Sequence, residues 1–270
     1  MYLNVIVMVR KKRAKSTTKR KGGFFRIVWK TFLILFIISI LLPLVYRWVN
    51  PLFTPLMVIR RIEGGAPIQK EWRDLDEITP NMIRCAFASE DNNFLGHYGF
   101  DFGAIQKAID ENKRGKRQRG ASTISQQTAK NVFLWPGHSW VRKGLEVYFT
   151  GLIELFWTKE RIMEVYLNVI EMGDGIYGAQ AAAQHYFNRN ADKLTLRQCA
   201  LITACYPNPL KRNPARPTAY LSGRATKISA LSYKVAPPNF DKESVKKARE
   251  RYLKREEKRR AKIDGKLLEL

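Results

Sequence analysis

The chain has 270 residues and a mass of 31.3 kDa, room for one good-sized domain with appendages or for two small domains. Its formal net charge is +24, but residues 1–30 carry ten Lys or Arg and no acid, and residues 241–270 carry twelve bases and seven acids, leaving +9 for residues 31–240. Charge gathered at the two ends argues against a nucleic-acid-binding surface and for a topology signal beside a membrane.

The membrane signal follows at once. IVWKTFLILFIISILLPLVY, residues 27–46, has Lys30 as its single charge, near one end where the side chain can reach the headgroups. Trp29, Tyr46 and Trp48 stand where interfacial aromatics belong, and LLPLVYRWVN offers no small-residue cleavage site, so the segment reads as a retained anchor. Positive charge before the span predicts a cytoplasmic N-terminus and an exported remainder. The expected organisation is a basic cytoplasmic tail over 1–26, an anchor over 27–48, a main domain over 49–235 and a charged tail over 236–270. The short apolar prefix MYLNVIVMV cannot span a bilayer.

Beyond the anchor the signals are mainly helical. Thr79 and Pro80 start a helix whose Ile83, Ala86, Phe87 and Glu90 share a stripe, which puts an acid at the end of an apolar face. Asp101 can cap FGAIQKAIDENK, which ends in the basic loop 114–120, and Ser122 opens a helix in STISQQTAKN. Further helices are predicted over 140–156, over 159–168, in the Ala-rich stretch ending at HYF, and from the capping box Thr195–Gln198 to Ala204. EMGDGIYG reads as a loop, and no strand longer than a few residues is expected. KESVKKARERYLKREEKRRAKIDGKLLEL has mixed charge and few apolar anchors, so a solvated helix or disordered tail is expected.

Cys85, Cys199 and Cys205 each lie in an apolar helical pattern and read as core thiols rather than a bridge. The absence of a paired CxxC and of a His-rich tract argues against structural zinc.

Three polar clusters could carry chemistry. In EDNNFLGHYGFD, Glu90 loses hydration at its helix end, which suits a carboxyl to general-base work, while Asp91, His97 and Asp101 are spaced to hold a loop and Phe94 and Phe100 to pin it. In RGASTISQQTAKN, a helix N-terminus beside Arg119 makes an anion site, and Gln126, Gln127 and Lys130 share a face. In RKGLE, Arg142 precedes Glu146 by one turn, a spacing that by itself usually means a surface salt bridge.

In this order, together with KERIMEVYLNVIEMG, GIYGAQAAAQHYF and LRQCALITACYPNPLKRNP, these motifs closely resemble the peptidoglycan glycosyltransferase family, known as a membrane-anchored monofunctional enzyme and as the first module of class A penicillin-binding proteins. The resemblance covers roughly residues 72–232 and is nearest to the monofunctional Gram-negative type. Ser125 stands where many relatives have Thr, and Gln198 where many have Glu. The transpeptidase signature of the bifunctional relatives is lacking: SxxK occurs at 16–19 and 244–247 without a KTG.

The resemblance implies a lysozyme-like α-helical head with a small jaw touching the membrane, for which Phe100, Phe102 and Ile105 are candidates. It implies polymerisation of lipid II onto a lipid-linked growing glycan, with inversion at the donor's anomeric carbon and release of undecaprenyl pyrophosphate, on the outer face of the inner membrane. By the same resemblance Glu90 is the general base and Glu146 a second carboxylate. Lys130 and Arg142, with Arg119 and Lys143, hold pyrophosphate. Ser122, Thr123, Gln126, Gln127 and Asn131 line the donor site, with Phe94 and His97 also at the substrate and Asp91 orienting or holding an accessory divalent ion. No cofactor is obligatory, with magnesium or manganese as an accessory. The expected partners are the lipid substrates, the membrane and cell-division or elongation proteins, with no nucleic acid. A glycan-cleaving enzyme shares the broad fold but has little use for Lys130 and the paired amides, and a non-enzymatic scaffold leaves all three clusters unexplained.

Overall fold

The computed structural model of the protein describes residues 21–113, 115, 120–137, 139–235 and 237–268. Arg119 and most of the basic N-terminal tail lie outside them. Residues up to Leu41 form one unit and the chain from Leu42 onward a second. The described part of the first unit is residues 21–41 of helix α1 (Lys21–Val45), whose stretch Phe25–Val45 has a mean hydropathy of 2.4 and is long and apolar enough to cross a membrane. Its 21 residues rise about 32 Å, against a hydrocarbon core of about 30 Å.

The second unit is mainly helical, and most of its helices start on a side-chain cap that the sequence announces. Thr54 accepts from Met57 N–H ahead of α2 (Pro55–Ile62), and Thr79 from Asn81 N–H ahead of α3 (Pro80–Glu90), each with proline in the first turn. Asp101 Oδ1 accepts from Ala104 N–H and so starts α4 (Phe102–Lys113). The next start differs from the sequence reading: Thr123, not Ser122, caps α5 (Ile124–Phe133), in a reciprocal box with Gln126. Ser139 caps α6 (Trp140–Phe156), Thr158 caps α7 (Lys159–Val169), Thr195 with Gln198 caps α9 (Leu196–Cys205) and Thr218 caps α10 (Ala219–Lys234). Between α7 and α9 lies α8 (Ala179–Phe187).

Three short strands, β1 (Gln69–Lys70), β2 (Glu171–Gly173) and β3 (Ile176–Tyr177), form a sheet in the order β1-β3-β2, parallel on one side and antiparallel on the other. EMGDGIYG is therefore a hairpin, not the loop expected. Its turn uses Gly175 at φ +70°, where a Cβ would stand 2.5 Å from the Pro67 carbonyl oxygen.

The core forms where α3, α9 and α10 pack together and where α5 lies on α6 and α7. From Cys199 to Cys205 every residue of α9 is buried, so the helix reads apolar all round. All three cysteines are free and buried, as their patterns predict. Asn168, fully buried in α7, accepts from Arg73 N–H and donates to the Arg73 and Glu164 carbonyls, which leaves none of its amide atoms unpaired. The last turn of α1 is tied down by Trp157 Nε1, donating to Pro43 O at 2.7 Å, and the chain just after it by Arg161, donating to Tyr46 and Val49 carbonyls.

The charged C-terminal segment forms α11 (Lys242–Leu268). A solvated helix accounts for its outer face only: Tyr252 is 6% exposed, and Val245 and Ala248 pack against the core.

Candidate active site

A cleft of about 1140 Å³ opens between the end of α3, α5, the start of α6 and the region from Tyr206 to Arg224. Nine of the residues singled out in the sequence line it: Glu90, Ser122, Gln126, Gln127, Lys130, Asn131, Arg142, Lys143 and Glu146.

Glu90 is the last residue of α3, at the point where the helix's apolar stripe ends, and its side chain is 13% exposed. Gln127 Nε2 donates to Oε2 at 3.0 Å and Ser89 Oγ to Oε1 at 3.0 Å, while Arg224 Nη2 stands 4.0 Å from Oε1. The carboxylate is therefore fixed on both oxygens yet still borders the cleft. Gln127 is itself fixed, because its Oε1 accepts from the Tyr166 hydroxyl at 3.1 Å. Burial pushes that phenol well above its usual range, so it stays a donor.

The other end of the cleft is cationic. Arg142 and Glu146 are not the surface pair their spacing suggests: both are almost fully buried, with Nη1 to Oε2 at 3.0 Å. Lys143 Nζ pairs with the other oxygen of Glu146. Arg142 Nε is buried with no hydrogen-bond partner. Lys130 has its pKa lowered, chiefly by burial and next by the Arg142 charge, against the pull of Glu146 and Glu171. Arg60 pairs with Glu171 at 3.1 Å on the same wall. Three cations balanced by one buried carboxylate suit a ligand that brings further negative charge.

Asp91, Phe94, His97 and Thr123, expected at the substrate, do not line this cleft. Phe94 is fully buried, with the Lys159 ammonium 4.5 Å from its ring centre. His97 Nε2 lies 2.9 and 3.1 Å from the Asp91 oxygens, and Asp91 Oδ2 also accepts from Ile124 N–H at 3.1 Å. Gln126 N–H is taken by Thr123 Oγ1, Thr123 N–H by Gln126 Oε1, and the Thr123 hydroxyl donates to Gly99 O at 2.7 Å. The expected anion site at the start of α5 is thus already filled from within, by the carboxylate of Asp91. Both Asp91 oxygens are engaged by His97 and the Ile124 N–H, and among the described residues no group of three or more His, Cys, Asp or Glu is arranged to hold a metal ion.

Sequence reasoning missed Arg60, Tyr166, Tyr206, Arg212, Tyr220 and Arg224. Tyr166 sits in KERIMEVYLNVIEMG and Tyr206 and Arg212 in YPNPLKRNP, stretches singled out without any role for those side chains.

A sequence profile of the family described as Transglycosylase matches residues 57–231. The biosynthetic peptidoglycan transglycosylase of Bacteroides thetaiotaomicron is 56% identical over 225 residues, covering 81% of this chain and 91% of that protein. Proteins of the same name from Caulobacter vibrioides and Bdellovibrio bacteriovorus are 53% and 52% identical, covering 77% and 80% of this chain and 92% and 86% of their own length.

Proposed function

The chain belongs to the Transglycosylase family and is a peptidoglycan glycosyltransferase, and we propose that it polymerises lipid II into β-1,4-linked glycan with Glu90 as general base. The 4-hydroxyl of the acceptor sugar gives its proton to Glu90 as its oxygen attacks the donor's anomeric carbon. The bond to the lipid pyrophosphate breaks, and α configuration becomes β. A positioned base of this kind contributes about a hundredfold to ten-thousandfold. Gln127 and Arg224 orient Glu90, and Lys130, Arg142 and Lys143 receive the negative charge of the departing pyrophosphate. Glu146, paired with both Arg142 and Lys143, is the second carboxylate and fixes those cations beside the pyrophosphate.

The observation that carries this reading is the shared cleft: a fixed, mostly dehydrated carboxylate borders the same space as three cations. The substrate is a lipid, and the domain has matching apolar surface. Trp140, Val141, Val147 and Leu155 are exposed along α6, and Trp48, Leu52, Phe53 and Ile62 near α2. Of the residues first suggested for that surface, Phe102 is exposed, while Phe100 and Ile105 are half-buried. We assign the apolar part of α1 as a single-pass anchor with the domain on the outer face of the inner membrane.

Purified full-length protein given labelled lipid II tests the reading. Polymer with β linkages is expected from the wild type, and a few per cent or less of that rate from Glu90→Gln. Near-normal synthesis by Glu90→Gln would remove Glu90 from the chemistry, and cleavage of preformed glycan without synthesis would replace the reaction altogether.

A further inference from the structure

Helix α11 lies beyond residues 57–231, the part matched by the family profile. Its contacts fall on the loop that follows Glu90. The Tyr252 hydroxyl donates to Asp101 Oδ1 at 3.3 Å, and its ring meets that of His97 edge-on at 6.0 Å. The approach is close enough to require glycine on the loop, since a Cβ on Gly96 would stand 2.7 Å from the Tyr252 Cβ. Arg255 donates to Asn93 Oδ1 at 2.9 Å, and Asn93 in turn donates to Asp101 Oδ2 at 2.8 Å. The Arg249 guanidinium stands 4.1 Å from the centre of the Tyr98 ring.

One face of the loop from Asn93 to Asp101 is therefore held by α11. Its other side is held through His97 and Asp91 to the start of α5. Between Glu90 and α4 the chain has turns and bends but no helix or strand, so these side-chain ties add to two backbone turn bonds and the buried Phe94 in fixing it. Helix ends fray, and a misplacement of about 1 Å in a reacting group can cost on the order of a hundredfold in rate.

We propose that Tyr252 is a positioning residue for the glycosyl transfer: by wedging α11 against Gly96, His97 and Asp101 it holds the loop, and through the His97–Asp91 contact it fixes the end of α3 that presents Glu90. The inference rests on Glu90 being the base. It makes α11 part of the working enzyme rather than a solvated tail.

The test compares full-length wild type, Tyr252→Ala, Tyr252→Phe, Arg255→Ala and Glu90→Gln with labelled lipid II, alongside hydrogen exchange. Tyr252→Ala is expected to lower kcat about tenfold or more with KM within about twofold. Amides 94–101 should exchange faster while those of α9 keep their protection. Tyr252→Phe keeps the wedge and should recover most of the rate. Arg255 is exposed, so Arg255→Ala keeps the core intact; it should lower kcat about twofold to threefold and loosen the same amides. If Tyr252→Ala does not fold, Arg255→Ala decides alone. Unchanged kcat and exchange in Tyr252→Ala, or in Arg255→Ala where Tyr252→Ala does not fold, beside an inactive Glu90→Gln, overturn the role of α11 and leave the base in place. An active Glu90→Gln overturns the reading of the base itself.

Discussion

The side-chain amide of Gln127 joins Tyr166 to Glu90: its oxygen accepts from the phenol at 3.1 Å and its nitrogen donates to the carboxylate at 3.0 Å. The fully buried Tyr166 fixes which way the amide faces, and the amide fixes the carboxylate. Gln127→Ala should therefore lower kcat about tenfold or more with little change in the denaturation midpoint. Steady-state kinetics and a thermal melt on the same preparation check this. Equal loss of rate and stability would make Gln127 structural.

Lys130 gives a pH dependence. Its pKa is depressed, chiefly by burial, so its charge is lost at a lower pH than in an ordinary lysine. On the proposed role of Lys130 at the pyrophosphate, affinity should be complete below the folded pKa and fall as pH rises through it. KM measured from about pH 7 to about pH 10 should climb before the usual lysine range of about 10.4. Lys130→Arg should move that climb upward, because guanidinium stays charged above about pH 12. The stability linkage has the opposite sense. Between the folded and unfolded pKa values the folded state binds fewer protons, so the Lys130 contribution to stability grows with pH in that window.

Glu90 and Glu146 should behave differently when neutralised. Glu90→Gln removes a charge that borders the cleft, so the protein should keep its stability and lose its rate. Glu146→Gln leaves Arg142 buried without its partner, and breaking a buried pair in this way costs about 3–5 kcal/mol. Denaturant melts of the two variants distinguish them. A stable Glu146→Gln protein would mean that the pair relaxes toward water.

Burial suppresses the thiols. The Cys85 and Cys205 groups are pushed up to about 12, and Cys199 higher still, by loss of hydration. A thiol reagent at neutral pH should label none of the three in the folded protein and all three in denaturant. Reductant should leave activity unchanged. Mass spectrometry of the labelled chain reports the count.

What could be read from the sequence was what local chemistry determines. Caps such as Thr79, Thr158 and the Thr195–Gln198 box depend on neighbours within one turn, so most helices were legible. Glu90 stood out because an apolar stripe ended in an acid. Arg224 did not, because nothing near it in sequence shows that α10 brings it beside residue 90. The hairpin at Asp174 and Gly175 carried a signal, a DG pair flanked by apolar residues, hidden by the shortness of its strands. In α11 the spacing of Val245, Ala248 and Tyr252 is a helical stripe, outweighed on inspection by the surrounding charge. The depth of the Arg142–Glu146 pair is set by packing of α5 on α6, which residue spacing does not encode.

Because Asp91 neutralises the positive end of α5, a phosphate has no foothold there, and Lys130 is the one charged side chain the helix presents farther along. The trough thereby acquires an electrical polarity, acid at one end and ammonium at the other. On the proposed reaction, that polarity would turn a lipid-linked pyrophosphate toward Lys130 and the attacking hydroxyl toward Glu90.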